Sequence, residues 1–252
     1  MKGMTRMIAT LTGQGKMKPL IIAMKALHFK RLFDLCFSFF LLIIAAPLIA
    51  LFGLVIWFET GLNPIFRQQR GLSLRGKRFS VLKIRTMYAT PEGHHAGGVL
   101  LKDNLQQFVT PFGQFLRRSG LDELPQLINV LRGEMSFVGP RPLSITDLER
   151  ISQLHPDLHH RRAVLDCKPG ITGFWQLYGS REKGVEELLM LDEFYAHHAS
   201  PLFDLFLCLK TIPIVCFAKH SDAIMDNMKM AGHFVIRKSI NQTSSPVSGD
   251  IS

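Results

Sequence analysis

The chain has 252 residues, of which 47% are hydrophobic, and it carries a formal net charge of +10 and four cysteines. A chain of this length buries one good core, so we expect one main domain with appendages. The charge calls for an anionic partner such as nucleic acid, lipid head groups or a nucleotide diphosphate. The cysteines form no C-x-x-C pair and have no zinc spacing, which favours reduced thiols in a reducing compartment over a disulfide framework or a metal cage.

The first 31 residues contain seven Lys or Arg and no acidic residue. This pattern could belong to the n-region of a signal peptide, but the apolar segment behind it is too long and no small-residue cleavage site follows. A basic arm lying on a membrane surface fits the composition better.

Residues 35–58 form an apolar run of 24 residues without a charge, which as a helix reaches about 36 Å and predicts a membrane-embedded segment. Residues 60–91 behind it again hold seven Lys or Arg and no acid. A single crossing should place its basic excess on one side, so two basic flanks favour both ends on the cytoplasmic side. Pro47 then provides the bend of a re-entrant hairpin of two short helices.

Alternation from Phe79 to Met87 predicts a strand that projects Lys83 and Arg85 from one face. Such a pair could grip a diphosphate, and the alternative is a solvated strand edge protected by charge. Residues 92–98 form a loop rich in Gly and His that is long enough to act as a lid.

Residues 119–133 carry the strongest helical pattern, with an apolar face of Leu124, Leu127, Ile128 and Leu131 and a stop at Gly133. Pro125 is tolerable only in a first turn, so the helix should begin near Asp122. Asp122 and Glu123 then sit at a helix N-terminus, which keeps both carboxylates ionised and favours a phosphate or metal beside them. Ordinary helix capping is the alternative.

Arg141 stands between Pro140 and Pro142, whose fixed φ angles stiffen the backbone that presents its guanidinium. A rigid arginine near two carboxylates suits phosphate chemistry. Residues 143–163 predict a polar surface helix whose histidines and arginines face solvent. No H-E-x-x-H motif surrounds these histidines, so we expect no metal site there.

Trp175 and Gln176 follow two tight turns and could offer a stacking face and an amide that reads a base or sugar. Core packing of Trp175 is the alternative. Residues 202–217 are apolar but include Asp204 and Lys210, which predicts an amphipathic helix lying in the membrane interface.

Two blocks make a family resemblance specific: LDELPQ at 121–126 and SFVGPRP at 136–142. With KRLFDL at 30–35 and KPGITGFWQ at 168–176, they resemble the bacterial sugar transferase family, the monotopic polyprenyl-phosphate phosphoglycosyl transferases. The likeness runs from about residue 30 to about residue 216 and implies the same re-entrant membrane helix. Ala46 stands where many members have a hydroxyl residue before the proline.

The resemblance implies transfer of a phospho-sugar from a UDP-sugar to undecaprenyl phosphate, with release of UMP and initiation of exopolysaccharide or another glycan. It maps the nucleophile onto Asp122, which would form a covalent intermediate, and a Mg²⁺-linked role onto Glu123. The candidate substrate-binding residues are Lys83, Arg85, Arg117, Arg141 and Gln176. Anionic membrane lipids are the other expected partners. We expect no nucleic-acid partner, since no reader motif accompanies the charge, and the oligomeric state, a homodimer included, stays open.

We therefore predict a mixed α/β, mostly helical fold: a small monotopic membrane enzyme with a re-entrant N-terminal membrane helix and interfacial amphipathic helices. The expected parts are a basic arm (1–31), a membrane hairpin (32–58), a catalytic domain (59–225) on the cytoplasmic face of the inner membrane, and a flexible tail (226–252). The alternative from another class is a non-enzymatic basic membrane-surface protein. Transfer of sugar alone is weakened by the absence of an Asp-x-Asp motif.

Overall fold

The structure is a computed structural model that describes residues 14–74, 76–88, 108–179 and 183–216. Three expectations fall outside these ranges: the first residues of the basic arm, the lid at 92–98 and the flexible tail at 226–252.

The described chain has a mixed α/β fold in which helices predominate, as predicted. The elements in chain order are α1 (Gln14–Thr60), β1 (Ile65–Gly71), β2 (Phe79–Ile84), α2 (Pro111–Ser119), a 3-10 helix (Leu121–Glu123), α3 (Gln126–Leu131), β3 (Ser136–Val138), β4 (Leu143–Ser144), α4 (Ile145–Leu154), α5 (Pro156–Ala163), β5 (Gly170–Thr172), α6 (Phe174–Tyr178), α7 (Gly184–His198) and α8 (Pro201–Cys216).

Two small sheets organise the part of the chain after α1. Strands β2, β1 and β4 pair antiparallel in that order, with Arg70 opposite Phe79 on one side and Ser144 on the other. Strands β3 and β5 pair in parallel. Because parallel strands end at the same edge, the loop after β3 and helix α6 after β5 meet there.

Helix α1 presents a long apolar surface. Its stretch Phe29–Thr60 contains 18 consecutive residues with a mean hydropathy of 2.9 and is long and apolar enough to cross a membrane. Phe40, Ile44 and Phe58 are each more than half exposed. Leaving a large apolar side chain in water costs about 1.5–3 kcal/mol, so this surface associates the protein with a membrane.

The secondary structure of α1 differs from the predicted arm and hairpin. The helix already begins at Gln14 and continues through Pro47 to Thr60, so it is one element rather than a separate arm and two short helices. A proline removes a single helical hydrogen bond, and the neighbouring bonds can carry the helix through it. A bend at Pro47 stays a prediction.

The start of the apolar segment is bonded to the folded domain through Lys30 and Asp34. The Lys30 ammonium donates to Asp204 on α8 at 2.5 Å and to the carbonyl oxygen of Val138 at 3.2 Å. The Asp34 carboxylate accepts from the Ser136 hydroxyl at 2.7 Å and the Phe137 N–H at 3.0 Å. All three residues of β3 are therefore hydrogen-bonded to the start of the apolar segment.

The far end of α1 is bonded to the same domain. Ile56 is fully buried against Ile84 of β2 and Leu116 of α2. One Glu59 carboxylate oxygen accepts the backbone N–H of Phe112 at 3.2 Å. Both ends of the apolar segment thus pack on one body.

The prediction of one polar surface helix over 143–163 is confirmed only in part: most of the stretch is helical, and His155, His160 and Arg161 are exposed. This stretch contains strand β4 and two helices, α4 and α5, which meet at His155 because Pro156 starts the second. Arg162 is buried, and the buried His159 ring accepts the backbone N–H of Leu74 at 3.2 Å. Spacing alone could not show that α5 packs on its polar side.

Helix α8 matches the expected interfacial helix on one side only. Leu202, Leu209 and Ile212 are each more than half exposed, which leaves an apolar surface on this helix. Asp204, one of the two charged residues on which that prediction rested, is buried, and its carboxylate accepts from Lys30 and from the Tyr195 hydroxyl at 2.7 Å. Burial raises the pKa of Tyr195, so its hydroxyl stays protonated and donates.

Candidate active site

The two adjacent carboxylates lie on a tight turn between α2 and α3. Helix α2 ends at Gly120, whose φ of 72° lies in the left-handed region that favours glycine, and the 3-10 helix follows at once. Helix α3 begins only at Gln126, with Pro125 as its capping residue. The prediction of one helix beginning near Asp122 is therefore wrong, because an α-helix running through Pro125 from there would meet the proline ring.

The buried side of α3 is also more polar than its pattern predicted. Leu127 is buried, but so is Asn129, whose amide accepts from the Leu82 N–H at 3.0 Å and donates to the carbonyl of Ser80 at 2.7 Å. These bonds replace a missing strand partner along β2. They place the 3-10 turn beside that strand.

Glu123 forms the central ion pair of the site. Its carboxylate accepts from the Lys83 ammonium of β2 at 2.6 Å, and both side chains are largely buried. Asp122, the preceding residue, is also buried. The turn therefore holds two carboxylates out of bulk water, and an ion pair fixes Glu123 to β2.

A small cleft opens beside this ion pair, with about 220 Å³ of empty space including its mouth. Its polar lining residues are Arg70, Lys83, Glu123, Gln126, Arg141 and Gln176. Three cations against one carboxylate leave two positive charges in excess. Such a lining is suited to a polyanion such as a diphosphate.

Arg141 and Gln176 belong to this cleft. The buried Arg141 guanidinium lies 5.5 Å from the centre of the Trp175 ring, within cation–π range. Trp175 is itself buried in the core with Leu148 and Leu188, so core packing rather than a ligand-stacking face describes it. Neither amide atom of the buried Gln176 has a hydrogen-bond partner within the described part of the chain.

The remaining candidates are not among the residues that line the cleft. Arg117 donates to the Thr86 hydroxyl at 2.8 Å. Arg85 donates to the carbonyl of Asn63 at 2.8 Å, and burial lowers the pKa of its guanidinium. Asp122 is not among the lining residues either, although its neighbour Glu123 is. The structure thus gathers Lys83, Glu123, Arg141 and Gln176 around the cleft, whereas Asp122, Arg85 and Arg117 are not part of its lining.

Sequence reasoning missed Arg70 and Gln126 on the cleft. Arg70 is 4% exposed and donates to the carbonyl of Pro142 at 2.9 Å. The only local signal for Arg70 was its position two residues after Gln68, on the same face of a polar strand. The pairing of β1 with β4, which turns Arg70 towards the loop after β3, is not visible in local pattern.

The carboxylates of the turn fit the Mg²⁺ ion that the family resemblance implies. Among the described residues, no group of three or more His, Cys, Asp or Glu side chains is placed to hold a metal. Mg²⁺, however, takes one or two carboxylates and completes its shell with substrate phosphates and water. Glu123 and Asp122 offer hard oxygen ligands of that kind beside a cationic cleft.

The fold and site define a membrane-associated protein with a buried carboxylate turn next to a cationic cleft. The chain belongs to the bacterial sugar transferase family, whose model matches residues 25–218. The chain is therefore a transferase, and the non-enzymatic alternative is wrong.

Three relatives illustrate the family. An exopolysaccharide production protein, ExoY, of Sinorhizobium fredii is 34% identical over 76% of this chain and 87% of its own length. The UDP-glucose:undecaprenyl-phosphate glucose-1-phosphate transferase of Caulobacter vibrioides is 36% identical over 73% of this chain and 68% of its own. The undecaprenyl-phosphate galactose phosphotransferase of Salmonella typhimurium is 32% identical over 74% of this chain and 40% of its own.

Proposed function

We propose that this protein transfers a phospho-sugar from a UDP-sugar to undecaprenyl phosphate, releases UMP and so begins the assembly of an exopolysaccharide or another glycan. The names of the Caulobacter and Salmonella relatives support this lipid acceptor and a hexose phosphate as the transferred group. The observation that carries the proposal is the cationic cleft beside two buried carboxylates, attached to an apolar helix. A lipid acceptor and a nucleotide donor need all three features.

In the proposed mechanism an Asp122 carboxylate oxygen attacks the sugar-bearing phosphorus of the donor. A bond forms between that oxygen and phosphorus, and the bond from phosphorus to the bridging oxygen breaks. UMP leaves with the bonding electrons. The phosphate oxygen of undecaprenyl phosphate then attacks the resulting acyl-phosphate, which returns Asp122 to its carboxylate form.

The cleft residues supply charge and position rather than covalent chemistry. Arg141 binds two phosphate oxygens through its planar fork, and Lys83 holds Glu123 while adding positive charge. Gln176 contributes an amide to the sugar or the uracil. Mg²⁺, when bound by Glu123, neutralises charge on the diphosphate.

We further propose a monotopic arrangement in the inner membrane, with the catalytic domain and both ends of the apolar segment on the cytoplasmic face. The bonds of Lys30 and Asp34 at one end and of Glu59 at the other support it, because both ends meet one charged domain. A straight crossing would separate these ends by the thickness of the bilayer. The basic residues on both flanks then face anionic lipids.

The test is a single-turnover reaction without lipid acceptor. Purified protein incubated with UDP-sugar labelled in the sugar should retain labelled sugar-phosphate and release one UMP per protein. Asp122→Asn should abolish the adduct, since an amide is a poor nucleophile. Glu123→Gln should slow its formation and raise the Mg²⁺ concentration required.

Asp157→Asn provides the matched control, because Asp157 is an exposed acid in the first turn of α5, away from the cleft. It should form the adduct at the wild-type rate. An active Asp122→Asn enzyme would overturn the assignment of the nucleophile. Absence of UMP release with a panel of UDP-sugars, with or without undecaprenyl phosphate, would overturn the proposed function itself.

A further inference from the structure

A fully buried ion pair lies outside the cleft, between α5 and α7. Arg162 donates from Nη1 to the Asp192 carboxylate, and the two side chains are 2% and 1% exposed. Burial raises the pKa of the Asp192 carboxyl, and the Arg162 guanidinium opposes that rise. A buried ion pair is often no more stabilising than well-packed apolar residues, so stability alone does not explain this pair.

Both members of this pair also bond the backbone of Arg141. Arg162 donates from Nη2 to the Arg141 carbonyl at 2.5 Å, and the Arg141 N–H donates to the Asp192 carboxylate. Arg162 reaches a third group, donating from Nε to the carbonyl of Leu72 at 2.9 Å. One ion pair thus holds both sides of the Arg141 residue and ties it to the end of β1.

The prolines around Arg141 make this pair specific. Neither Pro140 nor Pro142 has a backbone N–H, so the N–H of Arg141 is the single backbone donor of the three residues, and Asp192 takes it. The carbonyls of Pro140 and Pro142 accept from the Gly170 N–H and from Arg70, each at 2.9 Å. Arg162 supplies the donor for the carbonyl between them.

We propose that Arg162 and Asp192 are positioning residues for Arg141, which fix the peptide from which its guanidinium enters the cleft. They act through Arg141 and line no part of the cleft themselves. The inference rests on the proposed phosphate-binding role of Arg141. Because small displacements of a binding group can reduce turnover by about 100-fold, the pair controls transfer from outside the substrate site.

An ion pair between the neighbouring residues of the same two helices provides a matched control. Arg161 pairs with Glu193 at 2.6 Å and likewise joins α5 to α7, but Arg161 is exposed. If the buried pair only holds the helices together, removing the exposed pair should act in the same direction. If it positions Arg141, only the buried pair should affect transfer.

The experiment measures kcat and KM for UDP-sugar in the purified full-length protein with undecaprenyl phosphate, together with the thermal unfolding midpoint. Asp192→Asn keeps one oxygen for the Arg141 N–H but loses the charge. Arg162→Lys has one nitrogen in place of three. We expect each to reduce kcat/KM by about 10- to 100-fold, and Arg161→Ala to stay within about twofold of wild type.

Asp192→Asn leaves the buried charge of Arg162 uncompensated, and Arg162→Lys leaves buried acceptors without donors. Because either variant could unfold, the double variant Arg162→Met, Asp192→Leu is included. It removes both charges and should fold. It also leaves the backbone of Arg141 without these two partners, so we expect it to be folded and still impaired. Full activity in this folded double variant would overturn the proposal.

A double-mutant cycle with Arg141→Lys separates positioning from general damage. If Asp192 acts through Arg141, then Asp192→Asn should reduce kcat/KM by less than about threefold when Arg141 is already lysine. An undiminished loss in that background would refute the positioning role. An Arg141→Lys enzyme with full activity would instead refute the phosphate-binding role in the proposed function, so the two failures are distinguishable.

Discussion

At the scale of single residues, Gln176 separates binding from stability. Its amide is buried on the cleft and finds no hydrogen-bond partner among the described residues. An unsatisfied buried amide destabilises the folded chain, so this side chain is more readily explained by a ligand than by packing.

Replacing Gln176 with Met should therefore raise the free energy of unfolding by about 1 kcal/mol, because the desolvated amide is removed while the volume is kept. The same variant should raise the KM for UDP-sugar severalfold. Thermal unfolding and initial-rate kinetics on one preparation measure both. A less stable enzyme with an unchanged KM would show that the amide has a structural role.

Arg141→Lys tests the second cleft residue that the sequence singled out. Lysine keeps the charge but loses the fork that matches two phosphate oxygens, and it stacks less well on Trp175. We expect most activity to be lost, by about 100-fold in kcat/KM, with a wild-type unfolding midpoint. Normal turnover would mean that Arg141 only packs.

Local pattern was enough to predict some site residues and not others. Lys83, Arg141 and Gln176 stand out through alternation, flanking prolines and turn motifs, and all three line the cleft. Arg70 was missed because its partner Pro142 lies 72 positions along the chain. Arg162 was misread as solvent-facing because its polarity is satisfied by a partner 30 positions away.

At the scale of elements, the parallel pair of β3 and β5 depends on close backbone approach. A Cβ on Gly139 would lie 2.2 Å from the carbonyl oxygen of Lys168, and one on Gly170 would lie 2.1 Å from the nitrogen of Gly139. No side chain fits at such distances. The loop that carries Arg141 therefore begins where two backbones touch.

Gly139→Ala should push the strands apart, lower the free energy of unfolding by about 3 kcal/mol and reduce transfer by displacing Arg141. Gly71→Ala is the control, since an added Cβ there meets nothing closer than 3.4 Å. Thermal unfolding and kcat/KM should change for the first variant and hardly for the second. Equal behaviour of the two would show that the contact is not tight.

Secondary-structure elements could be predicted where the periodicity of the sequence determines them. The predictions failed where backbone breaks or long-range packing determine the structure. Strand β2 was predicted from alternation, and α8 from its apolar composition. The turn at Asp122 was read as the start of one helix, although the backbone breaks into a 3-10 helix before Pro125. The helix expected over 143–163 begins only at Ile145 because β4 pairs with the distant strand β1, and it divides at His155 because Pro156 starts α5.

At the scale of the whole molecule, the bonds at both ends of the apolar segment predict a re-entrant membrane topology. In a cysteine-free background, Thr5→Cys and Glu92→Cys should both resist a membrane-impermeant thiol reagent in intact cells and react after permeabilisation. Pro47→Leu should straighten the helix and shift some chains towards a crossing arrangement. Labelling of Thr5→Cys from outside intact cells would refute the re-entrant arrangement.

The bonds at the start of the apolar segment have a consequence for how this protein could be rebuilt. Lys30 and Asp34 supply hydrogen-bond partners to polar groups of strand β3 and helix α8. The segment is therefore part of the folded domain and not a separable membrane anchor. A chain that lacks the residues before Phe58, or in which an unrelated transmembrane helix replaces them, would leave Asp204 buried without its cation and Ser136 without its acceptor. A chimaera that exchanges the membrane segment between such enzymes should therefore fail to fold unless the new segment keeps these polar residues.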